Sequence, residues 1–350
     1  MTDEKSVLIN VLGLDPTNVI GGGSYLYEHF EIKSRNKMRS TRHILAPCEE
    51  LKVVQRAVLE RVLNQVSPHR AATAFFKGRS VLKNAIPHHR CLHLFKTDIS
   101  DFFQSIKTRH ITRVLETHFP HLSKAAMEEI IQLTTLNGCL PQGAPTSPHL
   151  ANLALFEFDD HISSLCERIG AKYTRYADDI TISASNEHKI KHLEAAIGAG
   201  LSELGLVQHL AKTRRFGPFA RKLVTGLDVS GAKIRPPRSY RKKTAALVRM
   251  CETYPGQMER HVSRVMGYLA YWQGTSPDDP ELATLKKRMI QFLKNAPLIE
   301  QKPQVSESQE GEEKTDAAEK SSPQEQLPPN PKSSLSLLSQ FMAMRNKSKD

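Results

Sequence analysis

Two adjacent carboxylates, Asp178 and Asp179, stand in Tyr176-Ala177-Asp178-Asp179, in the middle of the alternating stretch 172–185. Like charges this close repel unless a cation lies between them. Alternation along a strand would also send the two side chains to opposite faces, unless a turn intervenes. A hairpin tip carrying hard oxygen ligands for Mg²⁺ accounts for both features. A polar hairpin tip without metal is the plainer alternative. A third carboxylate, Asp98, ends the alternating segment 92–97 and precedes Ile99-Ser100-Asp101-Phe102-Phe103. An acid at a strand end beside an acidic hairpin suits two-metal phosphoryl transfer. One ion activates the attacking hydroxyl, the other supports the leaving group, and shared carboxylates hold both. The alternative is a helix N-cap supplied by Asp98 or Ser100. Between these segments, Leu140-Pro141-Gln142-Gly143-Ala144-Pro145-Thr146-Ser147-Pro148 fixes a tight path into a helix. Such a path can lie flat against a base pair, although by itself it is an ordinary turn.

The elements that must position these groups follow from periodicity. Leu51, Val54, Val58, Val62 and Val66 share one face of a helix predicted over 51–66. A strand is predicted over 92–97, helices over 109–136 and 148–168, and a hairpin over 172–185. A helix follows over 187–204, despite Gly198 and Gly200. Strand is predicted over 222–235 with a turn at Ser230-Gly231, then helices over 239–253, 257–273 and 280–295. Such a mixture places the chain in the α/β (α+β) class. From Pro297 the sequence becomes rich in Pro, Glu, Gln, Ser and Lys. It cannot bury enough surface to offset chain entropy, so disorder is expected over 299–350, interrupted by the apolar island 335–344.

The charge is unevenly distributed. Of 49 basic and 37 acidic residues, 7 and 9 fall in 299–350, leaving 42 and 28 in the remainder. A basic body suits a polyanionic partner, since each phosphate contact releases condensed counterions. Five cysteines, Cys48, Cys91, Cys139, Cys166 and Cys251, form no CxxC pair. They argue against a disulfide framework or a zinc site and fit a reducing cytoplasm. The longest apolar runs fall short of a membrane span, and the first residues do not read as a secretory signal.

Taken together and in this order, the three acid and turn segments resemble motifs A, B and C of reverse transcriptases. The resemblance runs over most of 25–275. Phe30-Glu31-Ile32-Lys33 and Arg42-His43-Ile44-Leu45-Ala46-Pro47 look like the fingers hairpin that grips an incoming triphosphate. Leu210-Ala211-Lys212-Thr213 looks like motif D, with His209 where the family usually has Asn. Asn84-Ala85-Ile86-Pro87-His88 matches the NAxxH signature of the retron type, and Val224-Thr225-Gly226 its VTG signature. His88 also reads as a satisfied core histidine.

The resemblance implies a right-hand polymerase with fingers, an RRM-like antiparallel palm sheet and a helical thumb. Fingers and palm are expected over 1–233 and the thumb over 234–298. It implies two Mg²⁺ held by Asp98, Asp178, Asp179 and the Ile99 carbonyl. Arg42 would neutralise the triphosphate, Phe103 would act as the steric gate against ribonucleotides, Gln142 would contact the nascent pair, and Lys212 would protonate pyrophosphate. It further implies a structured non-coding RNA as template and 2′-hydroxyl primer, an RNA-linked DNA product, dNTPs as substrates, and a separate effector protein in anti-phage defence. Residues 212–249 hold twelve basic residues and one acid, Asp228. Within them Arg235, Arg238, Arg241, Lys242 and Lys243, together with Asn84, His88, Val224, Thr225 and Gly226, are the expected RNA-binding residues. A merely solvated basic face is the alternative for the charged run. Two other classes compete: a reverse transcriptase of group II intron or diversity-generating type, and a non-catalytic RNA-binding scaffold.

Overall fold

The computed structural model describes residues 6–32 and 42–295. Lys33 and the segment 299–350, with its expected disorder, lie outside the described residues. The chain divides into two compact units, the first ending at Ile234 and the second beginning at Arg235.

In the first unit, β1 (Tyr27–Ile32) and β2 (Arg42–Pro47) pair antiparallel, from Tyr27 opposite Pro47 to Ile32 opposite Arg42. The central sheet contains β3 (His93–Asp98), β4 (Lys172–Tyr176), β5 (Asp179–Ala184) and β6 (Arg214–Phe216), in the antiparallel order β4-β5-β3-β6. A two-stranded ribbon, β7 (Leu223–Val224) and β8 (Leu227–Asp228), completes the unit. Strand pairing sorts the side chains by face. Phe95 lies opposite Ile182 and Thr97 opposite Ile180. The three apolar members are completely buried and join a core with Leu150, Phe158, Ile162, Leu193 and Ile197. By the two-residue period, Lys96, Asp98, Asp179 and Thr181 belong to the other face. One face therefore anchors the sheet while the other displays its acids.

Two long predicted helices are each divided. The first becomes Thr108–His118 and Lys124–Thr134. Pro120 disfavours helix at Phe119, and Ser123 starts the next helix by accepting from the Ala126 N–H. The second becomes Ser147–Ala154 and Phe156–Arg168, separated at Leu155 with φ −100° and ψ 11°. The former is buried almost all round and the latter along one stripe, so two different environments share one apolar pattern. The chain bends at the predicted Ser230-Gly231, and a further turn, Thr225-Gly226, joins β7 to β8.

The second unit contains helices Arg238–Thr253, Val262–Thr275 and Pro280–Asn295. They pack around fully buried Trp272, whose indole N–H donates to Asp279 Oδ2 at 3.2 Å. Among the described residues no helix is long and apolar enough to cross a membrane.

Candidate active site

The β4–β5 hairpin closes with Tyr176 opposite Asp179, leaving Ala177 and Asp178 as its loop. Ala177 has φ +58°. Positive φ at the first loop position is the II′ arrangement in which Gly is usual, and an Ala there carries about 1 kcal/mol of strain. Asp98 and Asp179 are direct cross-strand partners. The Ile99 N–H donates to the Asp178 carbonyl at 3.0 Å, tying the backbones of the two acid-bearing segments together. Asp98 and the adjacent pair Asp178-Asp179, 80 residues further along the chain, are thus brought to one end of the sheet.

Two lysines pair with two of these acids. Lys212 Nζ lies 2.6 Å from Asp98 Oδ2, and Lys96 Nζ lies 3.0 Å from Asp179 Oδ2. Lys212 sits in a short 3₁₀ turn closed by backbone bonds: the His209 N–H donates to the Asp98 carbonyl at 2.7 Å, and the Lys212 N–H to the His209 carbonyl at 3.0 Å. A histidine in place of the usual asparagine therefore leaves the lysine in position. Lys96 escaped the sequence reading, although its place two residues before Asp98 put it on the same strand face.

Burial pushes the Asp179 carboxyl up to about 6, against the pull of Lys96, with Asp98 and Asp178 adding to the rise. Its Oδ1 is enclosed and without a hydrogen-bond partner. An orphaned carboxylate oxygen on the acid-bearing face fits a hard cation ligand. Among the described residues no set of three His, Cys, Asp or Glu side chains converges on one point, and the lysine pairs account for the orientation of Asp98 and Asp179.

A wholly buried network supports the hairpin. Arg175 Nε and Nη2 donate to Asp159 Oδ1 and Oδ2 at 2.9 and 2.5 Å, and both side chains are inaccessible to solvent. Arg175 Nη1 donates to Asn152 Oδ1 and to the Ala177 carbonyl, each at 3.0 Å. Tyr173 donates to Asp159 Oδ1 at 2.6 Å. The guanidinium thus holds the strained residue that precedes Asp178.

The remaining expected residues fall in varied surroundings. The Arg42 backbone pairs with Ile32 at the far end of β2, and its side chain lies outside the described residues. Phe103 is half-buried in the one-turn helix Phe102–Ser105, its ring centroid 6.2 Å from that of Phe75. The Gln142 carbonyl accepts from the Leu45 N–H at 2.8 Å, docking the Leu140–Pro148 loop on β2. Gly143 makes this approach possible: it has φ +137°, and a Cβ there would lie 2.6 Å from the Leu45 carbonyl oxygen.

The expected RNA-binding set needs correcting in part. Asn84, His88 and Val224 are wholly buried, so their side chains face the protein interior. His88 bridges Ser183 on β5 at 2.7 Å and Thr174 on β4 at 2.9 Å. Burial, with the Lys96 charge adding to it, pushes this imidazole down to about 3. Asn84 Nδ2 donates to Thr225 Oγ1 at 3.4 Å. Arg241 pairs with Glu281 and is only 15% exposed. Its place beside the Tyr240-Thr244-Val248-Cys251 stripe turns it inward. Gly226, Arg235, Arg238, Lys242 and Lys243 are exposed and Thr225 is half-buried. Lys243 also lies over the Tyr268 ring, 5.5 Å from its centroid.

The profile of the family described as "Reverse transcriptase (RNA-dependent DNA polymerase)" matches residues 32–261. Retron Ec86 reverse transcriptase of Escherichia coli is 30% identical over 247 residues, covering 71% of this chain and 76% of that protein. Retron Mx162 reverse transcriptase of Myxococcus xanthus is 33% identical over 270 residues, covering 68% of this chain and 56% of that protein. A telomerase from Candida albicans, solved in complex with a TWJ fragment of telomeric RNA, is similar in fold. Its TM-score is 0.50 at 10% identity, over 77% of this chain and 63% of that one. With acids, hairpin and sheet arranged as described, the chain belongs to the reverse transcriptase family, the RNA-directed DNA polymerases, and its relatives place it with the retron type.

Proposed function

We propose that this polymerase copies a dedicated structured non-coding RNA, starts from a ribose 2′-hydroxyl of that RNA, and leaves single-stranded DNA joined to it. The observation that carries the reading is the direct contact between two retron signatures, Asn84 on Thr225, in the same unit as the cross-strand acid pair Asp98 and Asp179. On this reading the first unit supplies fingers and palm and the second the thumb. Anti-phage defence with a separate effector protein is the biological role that fits the type.

Asp98, Asp178 and Asp179 would hold two divalent cations, Mg²⁺ being the ion suited to all-oxygen ligands. When bound, such ions neutralise the phosphates and acidify the attacking hydroxyl. Lys96 and Lys212 would release Asp179 and Asp98 as the cations enter. Lys212, more than half exposed on its short turn, is then free to give a proton to leaving pyrophosphate. Phe103 would stack beneath the incoming sugar, Gln142 would meet the nascent pair, and Arg42 would meet the triphosphate. Exposed Gly226, Arg235, Arg238, Lys242 and Lys243 would meet RNA, the four cations through phosphates.

Asp178→Asn tests the catalytic reading. Extension of oligo(dT) on poly(rA) should fall by at least about a thousandfold, as loss of a metal-ligating charge implies, with the melting temperature unchanged. Robust extension by the variant would remove the proposal.

A further inference from the structure

Thr225 and Gly226 have φ +45° and +80°. Positive φ at both positions is the I′ pattern, and a β-branched residue in it is strained. Thr225 is held there from the protein side: its hydroxyl donates to the Val81 carbonyl at 3.0 Å and accepts from Asn84 Nδ2 at 3.4 Å. Asn84 Oδ1 in turn accepts from the Thr73 hydroxyl at 2.7 Å. That hydroxyl also lies 3.0 Å from the Arg175 carbonyl, which accepts from the Thr73 N–H at 2.7 Å. One hydroxyl proton thus serves two acceptors. From Arg175 the guanidinium reaches the Ala177 carbonyl at 3.0 Å, next to Asp178. Thr73, Asn84 and Arg175 are at most 4% exposed, so water competes little for these bonds.

We propose that Thr73, Asn84 and Arg175 are positioning residues that couple the conformation of the exposed Thr225-Gly226 turn to that of the Ala177-Asp178 turn. Both ends are strained two-residue loops, and each is held by the buried chain of hydrogen bonds between them. A ligand that reshapes the first loop changes the demand on the Asn84 amide. The Thr73 proton then shifts between Asn84 and the Arg175 carbonyl, and the seating of Arg175 against Ala177 changes with it. The proposal rests on the catalytic reading of Asp178 given above. It adds that the NAxxH asparagine acts through the protein interior, by linking RNA recognition to the geometry of the acids.

Hydrogen exchange of the 350-residue chain tests the coupling without requiring activity. Gly226→Ala strains the exposed turn, whereas Gly226→Asn tolerates positive φ. Thr73→Val removes the shared hydroxyl at nearly constant shape, whereas Thr73→Ser keeps it. Gly226→Ala should speed exchange in residues 174–183 by about 2- to 30-fold, the range that coupled networks carry. Gly226→Asn should have little effect. Thr73→Val should produce a similar rise, Thr73→Ser should not, and Gly226→Ala should add nothing in the Thr73→Val background. A Gly226→Ala effect confined to residues near 226, independent multiplication of the two effects, or equal damage from Thr73→Ser would each overturn the coupling. In parallel, Thr73→Val should lower kcat for dTTP on poly(rA)·oligo(dT) several-fold with KM nearly unchanged. If the wild-type protein fails to extend that primer, the catalytic reading fails, and the exchange result still decides the coupling.

Discussion

Arg175→Met removes a guanidinium that makes four hydrogen bonds, two of them to Asp159 in a pair fully shielded from water. The Met side chain fills much of the volume, so the main loss is electrostatic. Asp159 keeps the Tyr173 hydroxyl at 2.6 Å but no longer has the Arg175 charge beside it. Breaking one half of a buried pair costs about 3–5 kcal/mol. For a unit of this size each kcal/mol moves the midpoint by about 2–4 °C, so the transition should fall by about 6–20 °C. Arg175→Met combined with Asp159→Leu removes both charges and should recover most of that loss, since an apolar pair of similar volume is often as stable as the ion pair. Activity should not recover with stability, because the Ala177 carbonyl still lacks its donor and the turn before Asp178 is unsupported. Calorimetry of the single and double variants, with primer extension at a temperature where both are folded, separates the two effects. A single variant melting within about 2 °C of wild type would refute the electrostatic reasoning. Full extension by the double variant would refute the positioning role.

Three further outcomes follow from particular side chains. Phe103→Ala should raise incorporation of ribonucleotides relative to deoxyribonucleotides by at least about tenfold, as loss of about 1.4 kcal/mol of discrimination would give; unchanged selectivity in mixed-nucleotide assays would relocate the gate. Gly143→Ala would push a Cβ against backbone at 2.6 Å. It should cost about 1–3 kcal/mol and raise KM for dNTP as the loop lifts off β2, and an unchanged urea midpoint would contradict this. His88 binds a proton near pH 6.5 when unfolded but only near 3 when folded. Between those values the unfolded state holds the extra proton, so stability rises with pH and is complete above about 7, with a slope of up to about 1.4 kcal/mol per pH unit. Denaturation midpoints from pH 4 to 7 should therefore lose part of their pH dependence in His88→Gln, and an identical slope in the variant would exclude His88 as its source.

Much of the site was legible because it rests on short-range rules. Alternation through 172–185 announces a hairpin, and two adjacent acids at its centre announce that the turn has a task. Asp98 at the end of an alternating segment follows from the same rule, as does the order of the acid and turn segments. What the sequence could not supply was long-range contact. An arginine in a strand reads as solvent-facing, and Arg175 is buried only because Asp159 and Asn152, on two helices divided at Leu155, meet it from across the core. Asn84 and Thr225 stand 141 residues apart, and their contact depends on how the short helix Val81–Ala85 and the β7–β8 ribbon settle against each other. The sequence does not announce the Thr225-Gly226 turn, because a threonine at positive φ is intrinsically disfavoured. Tertiary hydrogen bonds to Val81 and Asn84 make it stable here. Sequence thus determined which carboxylates gather at one end of the sheet and that Asp98 and Asp179 stand on one strand face. Only packing decided which buried groups hold them there, because the free energy of a buried polar group is set by partners that no local pattern encodes.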